Sequence, residues 1–139
     1  MLFRSNNSWG GNGYSSSENS VINNAFNSYG AIIVAAAGNG IDIDADGEPD
    51  ETGYGAHYPA SYENVLSVAA LKCNYSTVIW SFTYHKSVYL SAPGDQVLST
   101  INGGEYESWN GSSMVSPNAA CVMGLVWSLN PELTNRFLR

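Results

Sequence analysis

The chain has 139 residues, about one domain's worth, with 5 Lys+Arg against 12 Asp+Glu, a formal charge of −7 and 44% hydrophobic residues. That is enough apolar material for a core, and the 12% aromatic content excludes a disordered acidic tail. The lack of a basic patch argues against nucleic-acid binding, no apolar run approaches the roughly 18–20 residues of a membrane span, and the 2 cysteines make no disulfide scaffold.

The chain opens M-L-F-R-S-N-N-S-W-G, which carries no signal-peptide pattern and reads as running straight into an internal strand. Val21, Ile22, Ala25, Phe26 and Tyr29 then fall at helical spacing, with Ser15 to Ser17 as N-cap candidates and Gly30 suited to a left-handed C-cap. The segment 31–37, A-I-I-V-A-A-A, is apolar at every position, the pattern of a strand covered on both faces. Residues 40–57 form a polar loop long enough to imply a use. Val65 to Leu71 and Val88 to Ser91 read as further buried strands. Residues 96–101 and 105–109 flank N-G-G as a hairpin. Met114 to Asn130 is apolar nearly all round (Val115, Ala119, Ala120, Val122, Met123, Leu125, Val126, Leu129), which predicts a helix buried on every side. Pro117 is expected in its first turn, where a missing N–H costs nothing. Asn130–Pro131 ends that helix, and P-E-L-T-N-R-F starts another. Strands alternating with helices predict an α/β fold with a mostly parallel sheet flanked by helices.

The stretch that carries chemistry is N-G-S-S-M-V-S-P, residues 110–117, at the opening of the long helix. Free N–H groups in a helix's first turn and the positive end of its dipole point at any negative charge forming there. A serine placed at that point is exposed and has part of an oxyanion site ready-made, and Gly111 allows close approach. Ser113 alone would still read as a helix cap, the commoner use of a serine before an apolar run.

G-S-S-M-V-S-P is similar to the G-T-S-M-A-S-P signature of the subtilisin-like serine proteases, in which the second hydroxyl residue is the nucleophile. A-A-A-G-N at 35–39 resembles the strand end that presents that family's oxyanion asparagine. Y-P-A-S-Y-E-N-V-L-S-V-A-A at 58–70, S-F at 81–82, S-A-P-G at 91–94 and V-L-S-T at 97–100 follow in the family's order. The resemblance runs from about residue 6 to residue 134. It implies a subtilisin-like three-layer α/β/α fold and hydrolysis of peptide bonds by acyl transfer through a Ser-His-Asp triad. It puts the nucleophile on Ser113 and an oxyanion donor on Asn39. Ser8, Trp9 and Gly10 fall where the family has the edge of its primary specificity pocket, with Ala36, Ala37, Gly38 and Gly111 as further substrate-binding positions. Trp9 and the small Ala35–Ala37 wall leave room for a sizeable apolar or aromatic substrate side chain.

The family's D-x-G and H-G-T-x-V-A motifs are absent from this chain. His57 and His85 lack the flanking small residues that seat a catalytic imidazole and follow the oxyanion block, the wrong order, so both read as loop or surface histidines. Asp42, Asp44, Asp46, Asp50 and Asp95 are likewise out of context for a triad. Residues 1–139 therefore read as a partial catalytic domain, holding the oxyanion and nucleophile half, with the N-terminal part of the fold missing. The expected partners are a polypeptide substrate and that missing part, and such a piece should leave apolar strand faces open at its N-terminal edge. Alone, with Ser113 an unactivated alcohol, it is expected to be inactive. The alternative is a non-catalytic pseudoprotease or a calcium-binding interaction domain on the same fold.

I-D-I-D-A-D-G-E-P-D-E at 41–51 spaces carboxylates like the first half of a calcium loop, but Gly53 stands where an EF-hand needs its bidentate Glu. It reads first as a solvated acidic loop beside the cleft, weakly favouring basic substrates. It reads second as a structural calcium site with Asp42, Asp44 and Asp46 as ligands. The chemistry itself needs no cofactor. Cys121 reads as a buried thiol and Cys73 is left open. Few charges, 12% in all, with many Asn, Ser, Gly and Tyr suit a secreted, extracellular protein.

Overall fold

The computed structural model describes residues 4–40, 55–72 and 83–138. In chain order the elements are β1 (Arg4–Asn7), α1 (Ser16–Tyr29), β2 (Ile32–Ala36), β3 (Leu66–Leu71), β4 (Val88–Pro93), β5 (Val97–Thr100), β6 (Tyr106–Trp109), α2 (Ser112–Leu129) and α3 (Asn135–Leu138). β1 to β4 lie side by side in that order, each pair parallel, and β5 and β6 form a separate antiparallel hairpin.

Successive side chains on a strand point to opposite faces, and β2 divides the core accordingly. Ile33 and Ala35 pack with Ile22 and Phe26 of α1, together with Ala60, Tyr62 and Val65. Ile32 and Val34 pack on the other face with Leu66, Val68 and Ala70 of β3 and with Val115, Ala119, Ala120 and Trp127 of α2. One helix on each face gives the three-layer α/β/α arrangement. Each such aliphatic side chain, taken from water, contributes roughly 1.5–3 kcal/mol.

The ends of α1 follow its local chemistry. Ser15 accepts the Glu18 N–H at 3.3 Å as N-cap, and Gly30 takes φ +65°, a left-handed conformation that glycine adopts without a Cβ penalty. Tyr62 braces this turn from across the core, its hydroxyl donating to Glu18 at 2.8 Å and contacting Ser15. Burial, followed by the nearby Glu18, pushes the Tyr62 phenol above its ordinary range.

Two expectations fail on α2. The helix is buried only along the stripe that faces the sheet, while Val122, Leu125 and Leu129 are 51%, 65% and 87% exposed and Cys121 is exposed as well. The sheet can cover one side of a helix, and no described residue covers the other. Open apolar surface therefore runs along this helix, and the described edge strand β1 is polar (R-S-N-N). Pro117 also stands beyond the first turn, because α2 begins at Ser112. Its absent N–H would have bonded the carbonyl of Ser113, the residue four back.

Candidate active site

Because β1 and β2 are parallel, their C-terminal ends deliver Ser8–Gly10 and Ala37–Asn39 to the same side of the sheet, beside the start of α2. The crevice beyond the carboxyl ends of the strands is where open α/β sheets bind ligands.

Ser113 is the second residue of α2 and is partly buried. The Ser8 hydroxyl donates to the Ser113 carbonyl at 2.9 Å, supplying the hydrogen bond that Pro117 cannot. In return, the Ser113 hydroxyl donates to the Ser8 carbonyl at 3.2 Å. Two reciprocal bonds thus fasten the backbone and side chain of Ser113 to the end of β1. Ser116, one turn on, adds a bond from its hydroxyl to Asn6.

Asn39 approaches from β2. Its Oδ1 accepts the Ser112 N–H at 2.8 Å and contacts the Ser112 hydroxyl at 2.8 Å. A backbone N–H can only donate, so the amide's orientation is fixed: oxygen to the helix, nitrogen away from it. Asn39 Nδ2 has no partner among the described residues, and neither has the Ser113 N–H, one of the orphan donors of a helix start. The Ser112 side chain, 1% exposed, accepts the Gly38 N–H at 3.1 Å. It shares its own proton between the Gly38 carbonyl at 2.9 Å and Asn39. Ser112 thereby registers the β2 end against the start of α2. The loops are tied down further by the Gly111 N–H donating to the Gly94 carbonyl at 2.8 Å and the Gly94 N–H donating to Leu71 at 2.9 Å.

Ala36 and Ala37 are buried at the end of β2, just ahead of Asn39 in the chain. Gly111, also buried, turns its Cα face to the Asn39 amide, where a Cβ would meet it at 3.2 Å. Gly10 and Gly38 flank a residue that sequence reasoning set aside. A Cβ on Gly10 would lie 2.4 Å from His57 Nε2, and one on Gly38 would lie 3.2 Å from His57 Cγ and 2.5 Å from Thr83 Oγ1. Gly38 has φ +109°, a second reason for glycine there. Trp9 is 58% exposed and lines a separate cavity of about 400 Å³ with Val21 and Ile22 of α1.

Neither histidine is hydrogen-bonded to Ser113. His85 Nδ1 meets the Ser87 hydroxyl at 2.8 Å, and Ser87 in turn meets Ser61 at 2.9 Å. His57 is half-buried, and that burial pushes its pKa below the ordinary 6.5. Asp42, Asp44, Asp46, Asp50 and Cys73 lie outside the described residues. Among the described residues no three His, Cys, Asp or Glu side chains converge as a metal site, and no helix is long and apolar enough to cross a membrane.

Comparison with known proteins agrees with this geometry. The subtilase family model matches residues 5–139. A thermostable alkaline protease of Halalkalibacterium halodurans is 39% identical over 117 residues, 84% of this chain and 29% of that protein. An extracellular protease of Xanthomonas campestris pv. campestris is 35% identical over 129 residues, 88% of this chain and 20% of that protein. The crystal structure of a cold-adapted subtilisin-like serine proteinase superposes with a TM-score of 0.80 at 28% identity, covering 97% of this chain and 45% of that one. The chain thus spans less than half the length of the proteins it matches. With a parallel sheet, a helix opening on G-S-S-M-V-S-P and an asparagine bound to its first N–H, the chain belongs to the subtilase family.

Proposed function

We propose that this chain is the nucleophile and oxyanion half of a serine endopeptidase, with the histidine base and its orienting aspartate supplied by polypeptide outside these 139 residues. The observation that carries the reading is the fixed Asn39 amide: its Oδ1 is bound to the helix, while its Nδ2 and the nearby Ser113 N–H are unclaimed among the described residues. A binding module gains nothing from leaving two such donors open.

In the proposed reaction the Ser113 hydroxyl attacks a peptide carbonyl and passes its proton to the base. Asn39 Nδ2 and the Ser113 N–H hold the oxygen that becomes negative, aided by the positive end of the α2 dipole. Collapse of the tetrahedral species cleaves the C–N bond, the base returns the proton to the leaving amine, and water then releases the acyl group by the reverse sequence. Among the described residues the acceptor for the Ser113 proton is the Ser8 carbonyl, which is no base, so the isolated chain should be inactive. No metal enters this chemistry. Secretion is proposed from the sparsely charged composition and from the extracellular relative.

The test is fluorophosphonate labelling of a polypeptide that joins this chain to a segment bearing the family's D-x-G and H-G-T-x-V-A motifs. Wild type should label at Ser113 and Ser113→Ala should not. Labelling that survives this substitution identifies the wrong serine; no labelling at all favours the non-catalytic alternative.

A further inference from the structure

We propose that Asn12 and Asn102 are sites of self-modification, each converting to aspartate and isoaspartate through a succinimide with the glycine that follows, while the fold shields the equivalent pairs Asn39–Gly40 and Asn110–Gly111 at the candidate active site. The sequence holds Asn-Gly pairs at 12–13, 39–40, 102–103 and 110–111. The chemistry is intramolecular. The backbone nitrogen of the glycine attacks the asparagine Cγ and a C–N bond forms. The side-chain nitrogen leaves as ammonia, taking the proton that the glycine nitrogen gives up. Water then opens the ring at either carbonyl, giving aspartate or, with the main chain rerouted through the side chain, isoaspartate. Glycine favours the step because it has no Cβ to crowd the attacking nitrogen and leaves the backbone free to turn.

Two conditions decide which pair reacts. The carboxamide must be free to swing onto the next nitrogen, and that nitrogen must not already be committed as a donor. At Asn39 both fail. Its Oδ1 is held by the Ser112 N–H and hydroxyl, each at 2.8 Å, and the Gly40 N–H donates to Thr83 Oγ1 at 3.3 Å. At Asn110 both fail again. Its Oδ1 accepts the Gln96 N–H at 2.6 Å, and the Gly111 N–H donates to the Gly94 carbonyl at 2.8 Å.

Asn12 and Asn102 meet both conditions. Each is exposed, and so is the glycine after it. Neither carboxamide, nor the N–H of Gly13 or Gly103, has a hydrogen-bond partner among the described residues. Asn12 stands between Gly11, which pairs with Tyr58, and the start of α1. Asn102 and Gly103 lie in the turn between β5 and β6, where Gly103 takes φ +97°. A shielded pair reacts only after local opening breaks its hydrogen bonds, so the opening equilibrium scales its rate down. Two bonds of ordinary strength make that factor about 10-fold or more. The folded protein thus gains negative charge in exposed turns and keeps the Asn39 amide. Unfolding lifts the shield, and conversion at Asn39 then puts a carboxylate where the endopeptidase reading needs a donor.

The test uses the joined polypeptide carrying Ser113→Ala, so that no self-cleavage intervenes, incubated in mildly alkaline buffer with and without urea. A cooperative urea transition establishes that the buffer sample is folded. Peptide mapping by mass spectrometry reads each pair through the mass gained when a side-chain NH2 becomes OH, and an isoaspartyl methyltransferase marks the isoaspartate. In buffer, Asn12 and Asn102 should convert about 10-fold faster than Asn39 and Asn110, or more. In urea the rates should converge. Gly103→Ala, which crowds the attacking nitrogen, should slow Asn102 and leave Asn12 as it was. Conversion of Asn39 or Asn110 in buffer as fast as Asn102, or a lag at either that persists in urea, overturns the proposal. So does an Asn12 or Asn102 that converts in urea but stays intact in buffer, or an Asn102 rate unmoved by Gly103→Ala.

Discussion

Substituting Asn39 by two different residues separates the part it plays in holding the helix from the part proposed for it on the oxyanion. Its Oδ1 makes two contacts of 2.8 Å to Ser112, one to the backbone N–H and one to the hydroxyl. Asn39→Ala deletes both. Loss of a helix-capping acceptor costs about 1 kcal/mol. The hydroxyl bond is worth about 1 kcal/mol more, less whatever the Gly38 carbonyl at 2.9 Å recovers by taking that proton fully. The expected destabilisation is about 1–2 kcal/mol, read as a shift in urea midpoint. Asn39→Ala also deletes Nδ2, and removing one such donor lowers kcat by on the order of 10²–10³, a figure that comes from a subtilisin, a member of this same family. Asn39→Asp keeps the acceptor and places a negative charge at a helix N-terminus, so stability should hold within about 1 kcal/mol of wild type. It replaces the donor by an anion aimed at a developing anion, so activity should fall at least as far as in the alanine variant. The reasoning is refuted if the aspartate variant loses as much stability as the alanine variant, because the amide would then be turned the other way. It is refuted equally if the aspartate variant keeps its kcat.

Two further substitutions test the supports of the site. Ser8→Ala should lower stability by about 1 kcal/mol and reduce kcat more than it raises KM, because the Ser113 carbonyl loses its donor. Adding Pro117→Ala restores a helical N–H to that carbonyl and should recover part of the loss; no recovery in the double variant would show that the proline is not the reason for the Ser8 bond. Gly94→Ala drives a Cβ to 2.4 Å from Val115 Cγ2 and 2.5 Å from Ala70 Cβ, with the Gly111 carbonyl at 3.0 Å. Overpacking of this kind costs about 1–3 kcal/mol, and the proximity of Gly111 should carry the damage to Ser113 labelling; an unchanged urea midpoint would contradict the packing described.

Elements whose signal is local were legible in the sequence. Ser15 and Gly30 bracket α1 because a hydroxyl acceptor and a left-handed glycine act within one turn of themselves, and β2 declared itself by being apolar at every position. Ser113 and Asn39 could be singled out because each stands inside a motif at the end of its element. What stayed hidden depends on pieces of chain distant from one another. An all-apolar helix such as α2 does not say which stripe the sheet will cover, so Cys121 was expected inside and lies outside. Pro117 was expected in the first turn because the helix start was placed two residues late, and that error concealed the vacancy that Ser8 fills. His57 does lie in a loop, but its packing against Gly10 and Gly38 is visible only in the fold, which brings those glycines to its ring.

The reciprocal bonds between Ser8 and Ser113 join residues 105 apart in sequence, and that separation has a consequence for synthesis. At roughly 5–20 residues per second, the segment that completes the site leaves the ribosome ~5–20 s after Ser8 does. Through that interval nothing can align the serine, because its backbone anchor and its proton acceptor both belong to a strand that must wait for it. The seat of Ser113 therefore forms only once α2 has docked against the end of β1.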